Sequence, residues 1–217
     1  MTDTDPADRL LQAALAHVPF DGWSETTFRA ACADCGIDPV LARARFPRGA
    51  VDLALAFHAA GDAEMLRRLD ETDLGALRMR DRIATAIRLR IEATPDREAV
   101  RRGCTLFALP HHAPEGARAI WNTADLIWRR LGDDTRDFNW FTKRATLSAV
   151  YSATVLFWLG DDSPGHQATR DFLDRRIGEV MGIEKAKARM RDNPLARRLM
   201  EAPGRLAPCP PGPRPRT

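Results

Sequence analysis

DFNWFTKRATLSAVYSATVLFWLGDDSPG, residues Asp137 to Gly165, is the stretch on which the fold turns. An aromatic entry, a long uncharged run and an abrupt polar stop follow one another. The fifteen residues from Ala145 to Leu159 carry no charge, so a helix built from them has to be covered around most of its circumference. That run falls short of the ~20 apolar residues that cross a hydrocarbon core, and its Thr and Ser positions speak further against lipid. It reads as the central helix of a soluble bundle. The small residues Ser148, Ala149, Ser152 and Ala153 let a second helix come close, and that helix can belong to another copy of the chain. A homodimer through the central helix and the one after it is the expectation.

Outward from this helix, nearly every segment has a period of 3.6 and none has a sustained strand alternation, which makes the class all-α. Asp5 can cap a first helix, with Pro6 in its first turn and Leu10, Leu11, Ala14, Leu15 and Val18 on one side. Ser24 starts a second helix that ends at Gly36, and a short third runs from about Asp38 to Phe46. Two short helices about a Gly turn give the outline of a helix-turn-helix over residues 1–48. A longer helix from about Gly49 to Leu69 follows, with His58 on its apolar stripe as a core or pocket-edge residue. Further helices are expected over about 79–93, from Pro95 to before Pro110, and over 114–131. The last of these puts Ala117, Ile120, Trp121, Ala124, Ile127, Trp128 and Leu131 at alternating three and four spacing. After the central helix and GDDSPG, one more runs to Met181. Residues 49–182 thus read as a ligand-binding and dimerisation bundle.

Charge divides the chain. Of the net +3, residues 184–217 hold nine Lys or Arg against three Asp or Glu, which leaves −3 for residues 1–183. The body is not a polyanion binder by charge. Residues 183–202 form a basic amphipathic segment in which Leu195, Leu199 and Met200 lie beside Arg197 and Arg198, a pattern suited to an anionic membrane surface. Six of the last 15 residues are proline, so residues 203–217 read as a disordered tail. The N-terminus, MTDTDPADRL, has neither the apolar core of a signal peptide nor the Arg-rich look of a transit peptide. The expected setting is a bacterial cytoplasm, peripheral to the inner membrane.

Motifs for chemistry are missing. No Glu is followed three residues later by His, and no G-x-G-x-x-G, P-loop or G-x-S-x-G occurs, so no catalytic residue and no cofactor are assigned. Cys32 and Cys35 form a C-x-x-C without a second pair at zinc spacing and read as two small buried helix residues. The adjacent His111 and His112 cannot share one helix face, and LPHHAP reads as a turn, so no metal is assigned either. In the candidate recognition helix, DPVLARARF, the N-terminal positions are Pro39, Val40 and Leu41, none of which makes a bidentate contact to a base. Arg43, Arg45 and Arg48 offer phosphate attraction alone, so no specific nucleic acid is expected. Trp140 and Phe141 are adjacent at a helix start and cannot both point inward. One of them is expected to be exposed, as interface anchors are.

In order and spacing, FDGWSETTFRAA (20–31), RARFPRGAVDLALAFH (43–58), LPHHAP (109–114), the central stretch and GDDSPG (160–165) resemble the Coq nine family of ubiquinone-biosynthesis accessory proteins. The resemblance covers roughly residues 9–183. It implies a TetR-like fold that binds isoprenoid lipid in place of operator DNA and supports the di-iron demethoxyubiquinone hydroxylase without being an enzyme. On that footing Trp121, Trp128, Tyr151, Phe157 and Trp158 would line a cavity for an isoprenoid quinone precursor or phospholipid. Asp125, Ile127, Trp128, Trp140 and Phe141 correspond to the patch that would meet the hydroxylase. Phe141 stands where the family commonly has tyrosine, so a hydroxyl-mediated contact is not implied. The alternative is a TetR-like repressor with a hydrophobic effector.

Overall fold

The computed structural model describes residues 5–94, 96–133 and 138–192, and among them every long regular element is an α-helix. Leu195, Arg197, Arg198, Leu199 and Met200, the expected membrane contact, lie outside the described residues, as does the proline-rich tail. Two units are distinguished, Met1–Ile177 and Gly178–Thr217. The buried core belongs to the first; of the second, residues 178–192 are described, and they are helical.

Capping chemistry sets the first three helices. In α1 (Pro6–Asp21) the Asp5 carboxylate accepts from the Ala7 N–H at 3.0 Å, and Pro6 needs no partner at the first position. In α2 (Glu25–Cys35) the Ser24 hydroxyl accepts from the Thr27 N–H, and Gly36 closes the helix at φ +64°, where a side chain would strain the backbone. In α3 (Pro39–Arg45) Asp38 caps the Val40 N–H at 2.8 Å. The apolar faces of these helices share one core with Leu53 and Ala54 of α4 (Ala50–Glu71) and Ala99 of α6 (Arg97–Phe107). Trp23 ties that core to α6 by donating its indole N–H to the Ala99 carbonyl at 3.0 Å.

Between α4 and α6 lies α5 (Met79–Glu92), and the bundle is completed by α7 (Ala113–Arg130), α8 (Phe138–Trp158) and α9 (Gln167–Asp192). Of the LPHHAP segment, residues 109–112 form the turn between α6 and α7, and Ala113 and Pro114 begin α7. Cys32 is buried and Cys35 half-buried on α2. The sharp stop after α8 comes from Asp161, whose carboxylate accepts from the Ser163 and Thr169 N–H groups at 2.8 Å each. One departure from the sequence reading concerns α9, which continues beyond Met181 to Asp192. Its extension, IEKAKARMRD, is rich in strong helix formers, and Gly182 costs a helix only about 1 kcal/mol, too little to stop it.

Along α8, Leu147, Val150, Tyr151, Thr154 and Trp158 are buried, whereas Ala149, Leu156 and Phe157 are exposed. The uncharged helix therefore keeps an apolar face that is exposed among the described residues.

Candidate functional site

Where α4, α5 and α7 meet, the interior holds a charged pair. The Arg90 guanidinium donates through Nε to Asp62 Oδ1 at 2.6 Å, through Nη1 to Thr94 Oγ1 at 2.6 Å and through Nη2 to the His58 carbonyl at 2.9 Å. Asp62 also accepts from the Thr123 hydroxyl at 2.9 Å, and His58 Nε2 lies 2.8 Å from the same hydroxyl. Arg90 and Asp62 are 3% and 5% exposed, a burial such charges tolerate only when paired and hydrogen-bonded. Space for the guanidinium is made by Gly61. A Cβ there would stand 2.6 Å from Arg90 Nη1 and 2.7 Å from Thr94 Oγ1, so the glycine in mid-helix is a packing requirement.

Next to this network is a cavity of about 440 Å³ with mostly apolar walls. Its inner surface includes Phe57 and His58 of α4, Arg90 of α5, Val100 and Cys104 of α6, Ile120 of α7, and Tyr151 and Ser152 of α8. Ala108, Ala117 and Leu156 also line it and are themselves exposed, which puts the mouth between the end of α6, α7 and α8. Gly116 belongs to the wall as well: a Cβ there would lie 2.6 Å from Phe107 Cβ, so α6 and α7 approach at a point where only glycine fits.

Burial drives the His58 imidazole down to about 4, with the Arg90 charge acting in the same direction and Asp62 and the Ala119 backbone opposing. The ring is neutral at pH 7 and the charge at this end of the cavity stays balanced. Because the folded value lies below the unfolded one, the folded state loses stability as pH falls from about 6.5 towards 4. By pH 4.5 the loss from this group should be on the order of 2–3 kcal/mol. His58→Gln should lack that share of the pH dependence in urea unfolding at pH 7 and 4.5. Equal losses in both proteins would mean that the imidazole is open to water. Burial likewise pushes the Tyr151 phenol up to about 12, so it keeps its proton.

The five expected cavity aromatics fall in different places. Tyr151, 5% exposed, lines the cavity. Trp158 is buried beneath the Arg97 guanidinium, 5.6 Å from its ring centre, and lines a separate hollow between α5, α6 and α9. Phe157 stacks on Phe172 at 4.4 Å. Trp128 donates its indole N–H to the Lys143 carbonyl at 3.1 Å, with the Lys143 ammonium over its ring. Trp121 packs against Trp140 and Phe141, with ring centres 5.8 and 5.1 Å apart.

That last contact assembles an aromatic cluster on the α7 and α8 surface. Phe141 is 55% exposed and Trp140 half-buried, as two adjacent aromatics at a helix start must divide. Beneath them Arg144, 1% exposed, has its guanidinium 4.3 Å from the Trp140 ring centre and pairs with Asp125 at 2.6 Å and Asp133 at 3.2 Å. Asp125 is committed to Arg144 and Arg129. Ile127 is fully buried because its side of α7 faces the core, so the open surface here is made by the aromatics and not by Ile127. Among the described residues, no group of three or more His, Cys, Asp or Glu is placed to hold a metal ion.

On the helix-turn-helix face, Val40 and Leu41 are 75% and 69% exposed. Arg43 pairs with Glu25 at 2.7 Å, and Arg48 pairs with Asp52 at 2.6 Å and Glu115 at 2.9 Å, while Arg45 is exposed. Two of the three arginines expected to reach phosphate are thus engaged within the protein. No described helix is long and apolar enough to cross a membrane.

Comparison with known proteins agrees with this anatomy. The COQ9 family model matches residues 113–184, which span α7, α8 and the first part of α9. Mitochondrial ubiquinone biosynthesis protein COQ9 of Drosophila melanogaster is 32% identical over 181 residues, 81% of this chain and 55% of that protein. The Homo sapiens protein of the same name is 30% identical over 186 residues, 81% of this chain and 57% of that one. The chain therefore spans little more than half the length of these relatives. Among solved structures, the TetR transcriptional regulator from Nitrosomonas europaea ATCC 19718 superposes with a TM-score of 0.65 over 80% of this chain and 96% of that one. At 19% identity this likeness concerns the fold alone. Over most of its length the chain is thus similar to COQ9 proteins of ubiquinone biosynthesis, with the COQ9 family model matched over residues 113–184, and its fold is all-α and TetR-like.

Proposed function

We propose that this chain is a lipid-binding accessory protein of ubiquinone biosynthesis, not itself an enzyme. It holds an isoprenoid quinone precursor in the cavity and presents it to the di-iron demethoxyubiquinone hydroxylase. The observation that carries the reading is the cavity of about 440 Å³, apolar on most of its wall and open beside Leu156. Sites for small apolar ligands have this size and character. A cavity of that volume takes a drug-sized fragment, so one end of a polyprenyl ligand sits inside and the rest leaves through the mouth. A repressor reading is less well supported, because α3 exposes Val40 and Leu41 where a DNA reader needs polar side chains.

Homodimerisation is part of the same reading, since Ala149 and Leu156 are exposed on α8 and Phe157 is only partly covered by Phe172. The hydroxylase would dock on the Trp121, Trp140 and Phe141 cluster, with the basic segment 183–202 at an anionic membrane surface.

The test is purification followed by lipid extraction and mass spectrometry. Isoprenoid quinones should be recovered above a control protein, and recovery at the control level from folded protein would sink the reading. For the partner, Phe141→Ala should weaken a complex with the hydroxylase by about 2 kcal/mol or more if this ring is an anchor. Stability should scarcely change, because the side chain is mostly in water. Unaltered binding would remove Phe141 from the interface.

A further inference from the structure

The smaller hollow between α5, α6 and the start of α9, about 260 Å³ in volume, shares no lining residue with the larger cavity among the described residues. Its wall is charged in one sense. Arg88 of α5, Arg97 of α6 and Arg170 of α9, all half-buried, face one carboxylate, that of Glu92, which is exposed. Cations gathered in a concave site with apolar walls concentrate anions there.

The fold makes little use of this charge. Arg88 donates through Nε to the Ala84 carbonyl at 3.3 Å and Arg170 through Nε to Gln167 Oε1 at 3.2 Å, and neither pairs with a carboxylate among the described residues. Arg97 donates through Nη2 to the Trp158 carbonyl at 2.9 Å, and Asp162, 3.6 Å from its Nη1, stands almost wholly in water. Asp161 is already engaged by the Ser163 and Thr169 N–H groups and the Thr169 hydroxyl. Two polar atoms of residues in the wall, Arg97 Nε and His166 Nδ1, are buried without a hydrogen-bond partner. Buried polar atoms are almost always satisfied, so two orphans in one wall point to an acceptor from outside the chain.

The segment that closes the hollow is held in a costly shape. His166 stands at φ +55°, a region few non-glycine residues adopt, with its ring edge-on to Trp158 and the ring centres 6.2 Å apart. Gly165 before it, at φ +60°, leaves room for Arg170, since a Cβ there would come within 3.1 Å of Nη2.

We propose that this hollow binds a phosphomonoester, its dianion held among Arg88, Arg97 and Arg170 and its organic part set against Trp158, Ile91 and Leu173. Guanidinium forks match phosphate oxygens, and a doubly charged head answers three of them better than a carboxylate does. The apolar wall favours an ester over inorganic phosphate. The site is independent of the carrier reading.

A phosphomonoester reaches a protein as a small solute or as a lipid headgroup, and the experiment separates the two. On the full chain, phenyl phosphate and inorganic phosphate are titrated by calorimetry, and flotation is run with phosphatidylcholine vesicles with and without phosphatidic acid. The proteins are the wild type, Arg88→Gln, Arg170→Gln and Arg78→Gln, the last removing an exposed charge outside the hollow. Circular dichroism checks the fold of each. The wild type should bind phenyl phosphate more tightly than inorganic phosphate. Arg88→Gln and Arg170→Gln should each lose roughly tenfold or more, the worth of a hydrogen bond to a charged group, while Arg78→Gln binds as the wild type does. If phenyl phosphate does not bind but flotation with phosphatidic acid falls in the two hollow variants and not in Arg78→Gln, the site takes the headgroup. Equal affinity for the two phosphates overturns the role of the Trp158 wall. Absence of both kinds of binding, or the same result in all three variants, overturns the site and leaves the arginines as a solvated cluster.

Discussion

Arg90→Ala is expected to lower folding stability by about 3–5 kcal/mol, a large fraction of what holds a domain of this size together. The change leaves Asp62, 5% exposed, as a buried carboxylate without its partner, and strips hydrogen bonds from Thr94 Oγ1 and the His58 carbonyl. Those groups also hold α5 against α4, so the cavity wall should loosen with them. The cost comes from the orphaned charge more than from any net value of the pair. Asp62→Leu combined with Arg90→Leu should therefore recover much of the loss, provided the extra volume beside Gly61 is accommodated. Urea unfolding of the single and double variants measures this. A loss below about 1 kcal/mol for Arg90→Ala would mean that water from the cavity reaches Asp62.

Ala149→Arg should convert the proposed homodimer to monomers. Ala149 is exposed on the uncovered face of α8, so in a single chain the arginine points into solvent and the fold is spared. In a dimer packed through that face the same charge is buried without a partner, at a cost of about 3–5 kcal/mol. The dissociation constant should then rise by roughly two to three orders of magnitude or more. Sedimentation at low micromolar concentration reads the outcome, with circular dichroism as the control on folding. A variant that still dimerises would move the interface to another surface. Ser152 is the wrong place for this test, although the sequence suggested it as one of four small residues at a helix contact: it lines the cavity, and a change there would confuse ligand binding with assembly.

That reassignment of Ser152 shows how far local pattern carries. The helices α1, α2 and α3 begin and end where Asp5, Ser24, Gly36 and Asp38 say they should, because capping is chemistry between neighbours in the chain. Period likewise identifies the buried side of α8. It does not say which of the residues beside that side line a void and which meet a neighbour, since both environments select small or apolar side chains. Trp121 and Tyr151 looked alike in sequence, yet one packs with Trp140 and Phe141 on the surface and the other lines the cavity.

The polar end of the cavity had a faint signal. Arg90 comes seven residues after Ile83 and three after Ile87, which places a cation on the inward stripe of α5, and Asp62 lies four residues after His58 on α4. A charge on an apolar stripe announces that a partner exists without naming it. The partner is 28 residues away and was found by packing. The sequence alone established the helical class, the caps and the uncharged central helix, because each depends on periodicity or on residues within a turn or two. Tertiary structure decided the cavity, its buried ion pair and the grouping of the surface aromatics. These depend on which faces of distant helices come together, and volume and charge compensation exist only after they have done so.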